Sequence, residues 1–287
     1  MEQPRADDAA TPRSVRAFCQ RILASGGLAA KLVPPPARLE DREPGPPQEV
    51  ERPARAAALA LRAGAAPLPR PGRMDDPAAR ARCLARFAHH ELQAVELFAW
   101  ALLRWPGLPA GLRRGWLGAL ADEQRHARLY LERLAAHGER LRPEDCSDYF
   151  WRHAPAIARA PNPPAAFLAA LGLTLEQANL DFSLLYRDAF RTAGDEASAR
   201  VCELVHEDEL RHVRLAATWL RRVCPDDGDE VARYEAHVPF PLSAARAKAR
   251  RFDAAARRRA GLGDALVEHV RTARSSQERG GRPGRRP

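Results

Sequence analysis

Asp122-Glu123-Gln124-Arg125-His126 and Asp208-Glu209-Leu210-Arg211-His212 are two copies of one short pattern, 86 residues apart. Each sets a carboxylate and an imidazole three residues apart, the spacing at which two side chains of one helix can reach the same metal ion. A single Glu-x-x-His means little in a chain rich in charged helix formers, and Glu203-Leu204-Val205-His206 is a third instance without an upstream counterpart. The duplication is the signal.

The repeat extends upstream. Glu91-Leu92-Gln93-Ala94-Val95-Glu96-Leu97 reads against Glu176-Gln177-Ala178-Asn179-Leu180-Asp181-Phe182 at an offset of 85. Each unit is therefore a carboxylate-bearing helix followed by a Glu-x-x-His helix. If the two fold back as a hairpin, residues level with each other lie equally far from the turn. The midpoint of Glu91 and Glu123 is Gly107, inside Trp105-Pro106-Gly107-Leu108-Pro109, where proline breaks the hydrogen-bond ladder. The midpoint of Glu176 and Glu209 falls in Arg191-Thr192-Ala193-Gly194-Asp195, where glycine can close one helix and aspartate cap the next. About 16 residues per arm at ~1.5 Å rise gives arms of ~24 Å, suited to a four-helix bundle with its site well inside.

Each candidate ligand interrupts an apolar stripe. Glu91 lies in the seam of Leu84, Phe87, Val95, Phe98 and Leu102, while Trp116, Leu120, Ala127, Tyr130 and Leu134 flank Glu123 and His126. Leu173 and Leu180 bracket Glu176, and Val205, Ala216 and Leu220 share a face with Glu209 and His212. Unpaired ionised groups in a core cost on the order of several kcal/mol each. Two divalent cations would offset four carboxylates, with the imidazoles coordinating in their neutral form. Oxygen donors with one nitrogen per ion and no thiolate point to iron or manganese rather than structural zinc. Di-iron carboxylate bundles use this donor set, a Glu from each of two helices and Glu-x-x-His from each of the other two. The expected fold is all-α: a four-helix bundle of two duplicated hairpins with a long crossover, a proline-rich N-terminal extension and a basic C-terminal helix.

The runs His89–Pro106, Asp122–Leu134, Leu173–Phe182, His206–Val213 and Phe240–Phe252 resemble the bacterial family designated domain of unknown function 455, in the ferritin-like superfamily. The resemblance spans roughly Ser14 to Leu262 and includes the proline-rich entry and the basic exit. It implies a ferritin-like fold with Glu91, Glu123, His126, Glu176, Glu209 and His212 at dimetal positions. By that analogy Glu123 and Glu209 bridge the ions, and Glu91 and Glu176 are terminal ligands. It implies no substrate.

The rest of the chain is organised around this core. Residues 1–75 contain 12 of the 25 prolines and read as an extension wrapping the bundle, with one short helix between Ser14 and Ala30. Residues 76–224 form the expected dimetal bundle, with His137 to Pro164 as its crossover. Residues 225–274 carry a basic helix from about Ala244 to Ala260, and residues 275–287 read as a disordered basic tail. The net charge of +9 resides in residues 246–287, which hold 13 Lys/Arg against 4 Asp/Glu. Without interleaved aromatics beyond Phe252, that segment is a weak candidate for nucleic-acid binding. The five cysteines lack a C-x-x-C pair and read as reduced thiols, and no apolar run is long enough to span a bilayer, so a cytoplasmic location is expected.

Other polar residues near the pattern have less distinctive readings. Glu96 and Asp181 follow Glu91 and Glu176 by five residues, about 140° round the helix, and so should not share the inward face. Asp122 and Asp208 suit support of a histidine, or an exposed or capping role. His89 and His90 suit packing or hydrogen bonding, His206 a structural role ahead of support of the site, and Tyr130 core packing ahead of reaction with an oxidant formed at the metals. The leading functional reading is a di-iron, or iron–manganese, oxidoreductase that activates dioxygen to oxidise an organic substrate, with an external electron donor because no flavin or nicotinamide fingerprint is present. The alternatives are an iron-binding ferroxidase and a helical interaction protein that contacts RNA through its basic tail.

Overall fold

The computed structural model describes residues 11–64 and 67–274, and every regular element in them is helical. The one strand-type contact among these residues is an isolated parallel bridge between Ser14 and Glu40. Ser14 caps α1 (Val15–Ala24) by accepting from the Ala17 N–H, and α2 (Leu28–Leu32) follows after Gly27. The single helix expected over Ser14–Ala30 is thus two. Ala56 N donates to Gly26 O at 2.8 Å, and a β-carbon on Gly26 would meet Ala56 N at 3.1 Å.

The two hairpins turn where the sequence cannot continue a helix. Asp76 caps α3 (Pro77–Arg104), with proline at its first position. Trp105-Pro106-Gly107 ends it, and α4 (Ala110–Ala136) returns. Residues 137–162 cross over through short turns at Pro143–Asp145 and Trp151–His153 and through α5 (Ala154–Ala158). The second hairpin begins with α6 (Pro163–Phe167), continues through a π-helical stretch at Leu168–Glu176 and ends as α7 (Gln177–Thr192), forming one arm. Gly194 adopts a φ of 77°, and Asp195 caps α8 (Glu196–Val223) by accepting from Ser198 N. Both turns lie where the repeat arithmetic puts them.

Within each hairpin the arms pack along their length, and α4 packs against α8. Phe87 of α3 touches Tyr130 of α4 and Tyr186 of α7, with ring centroids 5.2 and 5.1 Å apart, so the hairpins share one interior. The N-terminal segment is fastened to the first hairpin. Arg113 forks onto Asp41 at 2.8 and 2.7 Å, Trp100 Nε1 donates to Val50 O at 3.0 Å, and Gln124 Nε2 donates to Lys31 O at 2.7 Å.

After α8 come α9 (Glu230–His237), α10 (Ala254–Arg259) and α11 (Asp264–Thr272). The continuous basic helix expected from Ala244 to Ala260 is corrected here. Only a short turn, Ala244–Arg246, and α10 are helical, because backbone N–H groups of Ala249 and Asp253 donate to the Asp181 carboxylate at 3.0 and 2.8 Å. Asp253 then caps α10, accepting from Ala256 N at 2.8 Å. All five cysteines are free and buried. No helix among the described residues is long and apolar enough to cross a membrane. The expected disordered tail, 275–287, lies outside the described residues.

Candidate metal centre

Six side chains converge between the hairpins: Glu91 from α3, Glu123 and His126 from α4, Glu176 from the last position of the π-helical stretch, and Glu209 and His212 from α8. All six are buried. Their donor atoms form two overlapping groups, Glu91–Glu123–His126–Glu209 and Glu123–Glu176–Glu209–His212, within each of which the atoms lie within 4.8 Å of one another. Glu123 and Glu209 belong to both. Either group could hold a metal ion.

Hydrogen bonding leaves this cluster incomplete. Glu123 Oε1, Glu176 Oε1, Glu209 Oε2 and His212 Nδ1 are buried without a hydrogen-bond partner, and all four belong to the second group. His212 Nδ1 lies 3.1 Å from Glu123 Oε1 but is not aligned for a hydrogen bond. That separation suits two donors on one ion, since bonds of ~2.0–2.1 Å at right angles put adjacent ligands ~3 Å apart. Buried orphan atoms of this kind are costly, and a cation is the species that would satisfy carboxylate and imidazole lone pairs together. The residues present fit a metal.

The opposite ring nitrogens are held by carboxylates in a crosswise pattern. His126 Nε2 pairs with Asp208 of the other hairpin at 2.9 Å, and His212 Nε2 pairs with Asp122 at 3.3 Å. With Nε2–H donated outward, a neutral ring would turn its Nδ1 lone pair to the cluster, the tautomer a ligating histidine needs. Arg125 and Arg211 brace the same aspartates. Arg125 bonds Asp122 at 2.9 Å and also reaches Asp208, while Arg211 meets Asp208 at 2.6 Å and Asp122 at 3.1 Å. Asp, Glu, Arg and His of each copied pattern therefore all act in one layer.

Packing these groups together shifts their proton affinities in opposite directions. Burial pushes Glu91 well above the usual carboxylate range, with Glu123 and Glu209 adding repulsion, and burial likewise raises Glu176 and Glu209. Burial also opposes ionisation of Glu123, but its bond to His126 and the nearby His212 imidazole prevail and hold it well below that range. His126 is raised to about 9 despite burial, through Asp208 and Glu123. His212 is raised well above its ordinary value through Asp122, Glu123 and Glu209, again against burial.

The remaining candidates lie outside the cluster. Glu96 accepts from Arg55 at 3.0 and 2.7 Å and from Trp151 Nε1 at 2.9 Å, and pairs with fully buried Lys31 at 2.9 Å. Asp181 takes a fork from Arg257 at 2.8 and 2.9 Å. His89 bonds Gln93 at 3.2 Å, and His90 stacks on Phe150. His206 Nδ1 meets Ser183 Oγ at 3.1 Å, and Tyr130 packs on Phe87. One contributor escaped the sequence reading: Asn179 Nδ2 donates to Glu209 Oε1 at 2.9 Å. Its signal was its place three residues beyond Glu176, on the same helix face, but its counterpart in the repeat is Ala94.

Beside Glu176 and His212 lies a narrow cleft of about 10 Å³, lined by Phe98, Trp116, Phe167 and Leu215 among others. It has room for roughly one water-sized molecule. Gly172 permits the close approach there, because a β-carbon on it would stand 2.2 Å from Ala216 Cβ.

Fold and site together define an all-helical protein with a buried carboxylate–imidazole centre able to hold a metal ion. The family model described as "Protein of unknown function (DUF455)" matches residues 9–268, and the chain belongs to that family. No curated protein and no solved structure matches the chain.

Proposed function

We propose that this chain is a ferritin-like, non-haem di-iron or iron–manganese oxidoreductase that uses dioxygen to oxidise an organic substrate. The observation that carries the reading is the pair of donor groups sharing Glu123 and Glu209, each completed by one further carboxylate and one imidazole. In this reading Glu123 and Glu209 would be shared by two ions, Glu91 and His126 would complete the set that holds one, and Glu176 and His212 the set that holds the other. The bound pair supplies redox chemistry toward dioxygen, which no side chain of the cluster can supply.

The protein's own residues do the rest. Asp122 and Asp208 fix the imidazole tautomers and orientations, and Arg125 and Arg211 keep those aspartates ionised and in place. Asn179 orients one oxygen of Glu209. Phe98, Trp116, Phe167 and Leu215 keep water from the Glu176–His212 side, and the small cleft suits a diatomic gas better than a bulky substrate. A larger substrate requires side chains around the cleft to move, and electrons enter from an external donor.

The test is to load the protein anaerobically with ferrous iron, mix it with oxygenated buffer, and follow oxygen consumption and the optical spectrum. The expected result is consumption proportional to bound iron, absent in Glu209→Ala. Iron bound at two per chain with no oxygen consumption would remove the oxidoreductase reading. Iron accumulating far beyond two per chain would move the assignment to ferroxidase and storage.

A further inference from the structure

A second group of metal-ligating side chains meets where α8 passes into α9. Cys224 directly follows α8, Asp227 lies in the connecting turn, and His237 is the last residue of α9. One donor atom from each lies within 4.8 Å of the other two. His237 Nε2 is 2.5 Å from Asp227 Oδ2. The cysteine is buried, while the His237 and Asp227 side chains are 13% and 38% exposed, so an ion can enter from solvent and meet the sulfur at the inner end.

The surroundings hold these donors in place. Arg233 Nε donates to Cys224 O at 2.7 Å and Arg233 Nη2 to Gly228 O at 2.7 Å, closing the turn that carries Asp227. Gly228 takes a φ of 72°, which favours glycine there. From the end of the crossover, Asn162 Nδ2 donates to Cys224 Sγ at 3.4 Å. A donor aimed at sulfur stabilises it as an acceptor, the role it has as a thiolate ligand. In the metal-free protein, burial and the adjacent Asp227 push the thiol up to about 11, so the sulfur keeps its proton.

We propose that Cys224, Asp227 and His237 bind one thiophilic divalent cation, zinc by preference, with a further coordination position left to solvent. One sulfur, one nitrogen and one oxygen donor suit zinc, whereas the oxygen-rich inner cluster suits iron or manganese. On binding, the Cys224 proton leaves to solvent and the +2 charge is met by one thiolate and one carboxylate. His237 also lines a surface groove of about 260 Å³ with Arg159, Pro161 and Phe240. The ion ties the end of α8 to the end of α9 and so fastens the C-terminal segment to the hairpins.

Cobalt(II) titration of the full chain, with its inner cluster already loaded with iron, tests this without depending on the oxidoreductase reading. The expected result is near-ultraviolet sulfur-to-cobalt absorption saturating at one equivalent, because neither inner donor group contains a thiolate. Cys224→Ser should abolish that absorption while the iron content is unchanged, and His237→Gln should weaken cobalt binding by at least about tenfold. In parallel, one equivalent of zinc should raise the melting temperature of the wild-type protein and leave that of Cys224→Ser unmoved. Absence of sulfur absorption in the wild type, or absorption that survives Cys224→Ser, would overturn the site. If Cys224→Ser does not fold, His237→Gln decides: cobalt affinity equal to wild type refutes the assignment.

Discussion

Glu91 and Glu176 sit on the same two helical arms as Glu96 and Asp181, five residues earlier in each case, and all four carboxylates are buried. The outer pair is fully neutralised by protein. Glu96 has Lys31, Arg55 and Trp151, and Asp181 has Arg257 and two backbone N–H groups. The inner pair, with Glu123 and Glu209, meets two imidazoles and no Lys or Arg, and four donor atoms there are left without partners. Burial alone therefore does not mark a metal ligand. What separates the two layers is whether the chain supplies the counter-charge, and where it does, the carboxylate anchors a terminal segment: residues 31 and 55 on one side, 249–257 on the other.

The largest expected effect comes from the shared ligands. Glu123→Ala or Glu209→Ala should abolish iron or manganese binding at the cluster, because both donor groups lose a member, whereas Glu91→Ala or Glu176→Ala should remove one of its two ions, read by elemental analysis. Equal losses from all four substitutions would break the distinction between shared and unshared ligands. In the outer layer, Arg257→Met should cost about 3–5 kcal/mol of unfolding free energy by stranding Asp181, with metal content unchanged, measured by urea denaturation. A loss of metal in that variant would merge the two layers into one.

Smaller changes sharpen the picture. Gly172→Ala should cost about 1–3 kcal/mol, since its β-carbon collides with Ala216, and should weaken metal binding on the Glu176 side. Asp208→Asn should reduce metal affinity about 10–100-fold in competitive chelator titrations, while Asp181→Asn should leave that affinity unchanged. The smallest effect concerns His153 in the crossover, two residues from Trp151, which anchors Glu96. Burial lowers His153 from 6.5 to about 4, with Arg152 adding to the shift. The fold holds it neutral, so its contribution is present above pH 6.5 and is lost as pH falls toward 4. Unfolding free energies at pH 7 and 4.5 should converge in His153→Gln by about 1 kcal/mol relative to wild type.

The sequence made the hairpins legible because proline and glycine breaks fall midway between repeated carboxylates. The six cluster residues were legible because helical spacing and duplication are local properties. The 140° offset correctly kept Glu96 and Asp181 off the inward face, yet their partners Lys31, Arg55 and Arg257 are far away in the chain and no periodicity names them. The π-helical turn at Leu168–Glu176 was hidden for a related reason: its apolar run has no distinctive pattern, and its setting includes the approach of Gly172 to Ala216 and the Thr174 Oγ1 bond to Ala169 O at 2.8 Å. The basic stretch after Ala244 reads as a helix from composition alone. It breaks because Asp181 captures two of its backbone N–H groups.

The most direct test of this account is the metal content of anaerobically purified protein, compared between wild type, Glu209→Ala and Asp181→Asn. Two iron or manganese ions per chain in the wild type and in Asp181→Asn, with none in Glu209→Ala, is the predicted result, any zinc held at Cys224 being counted apart. A wild-type chain without stoichiometric iron or manganese, or a Glu209→Ala chain that keeps both of those ions, would contradict it.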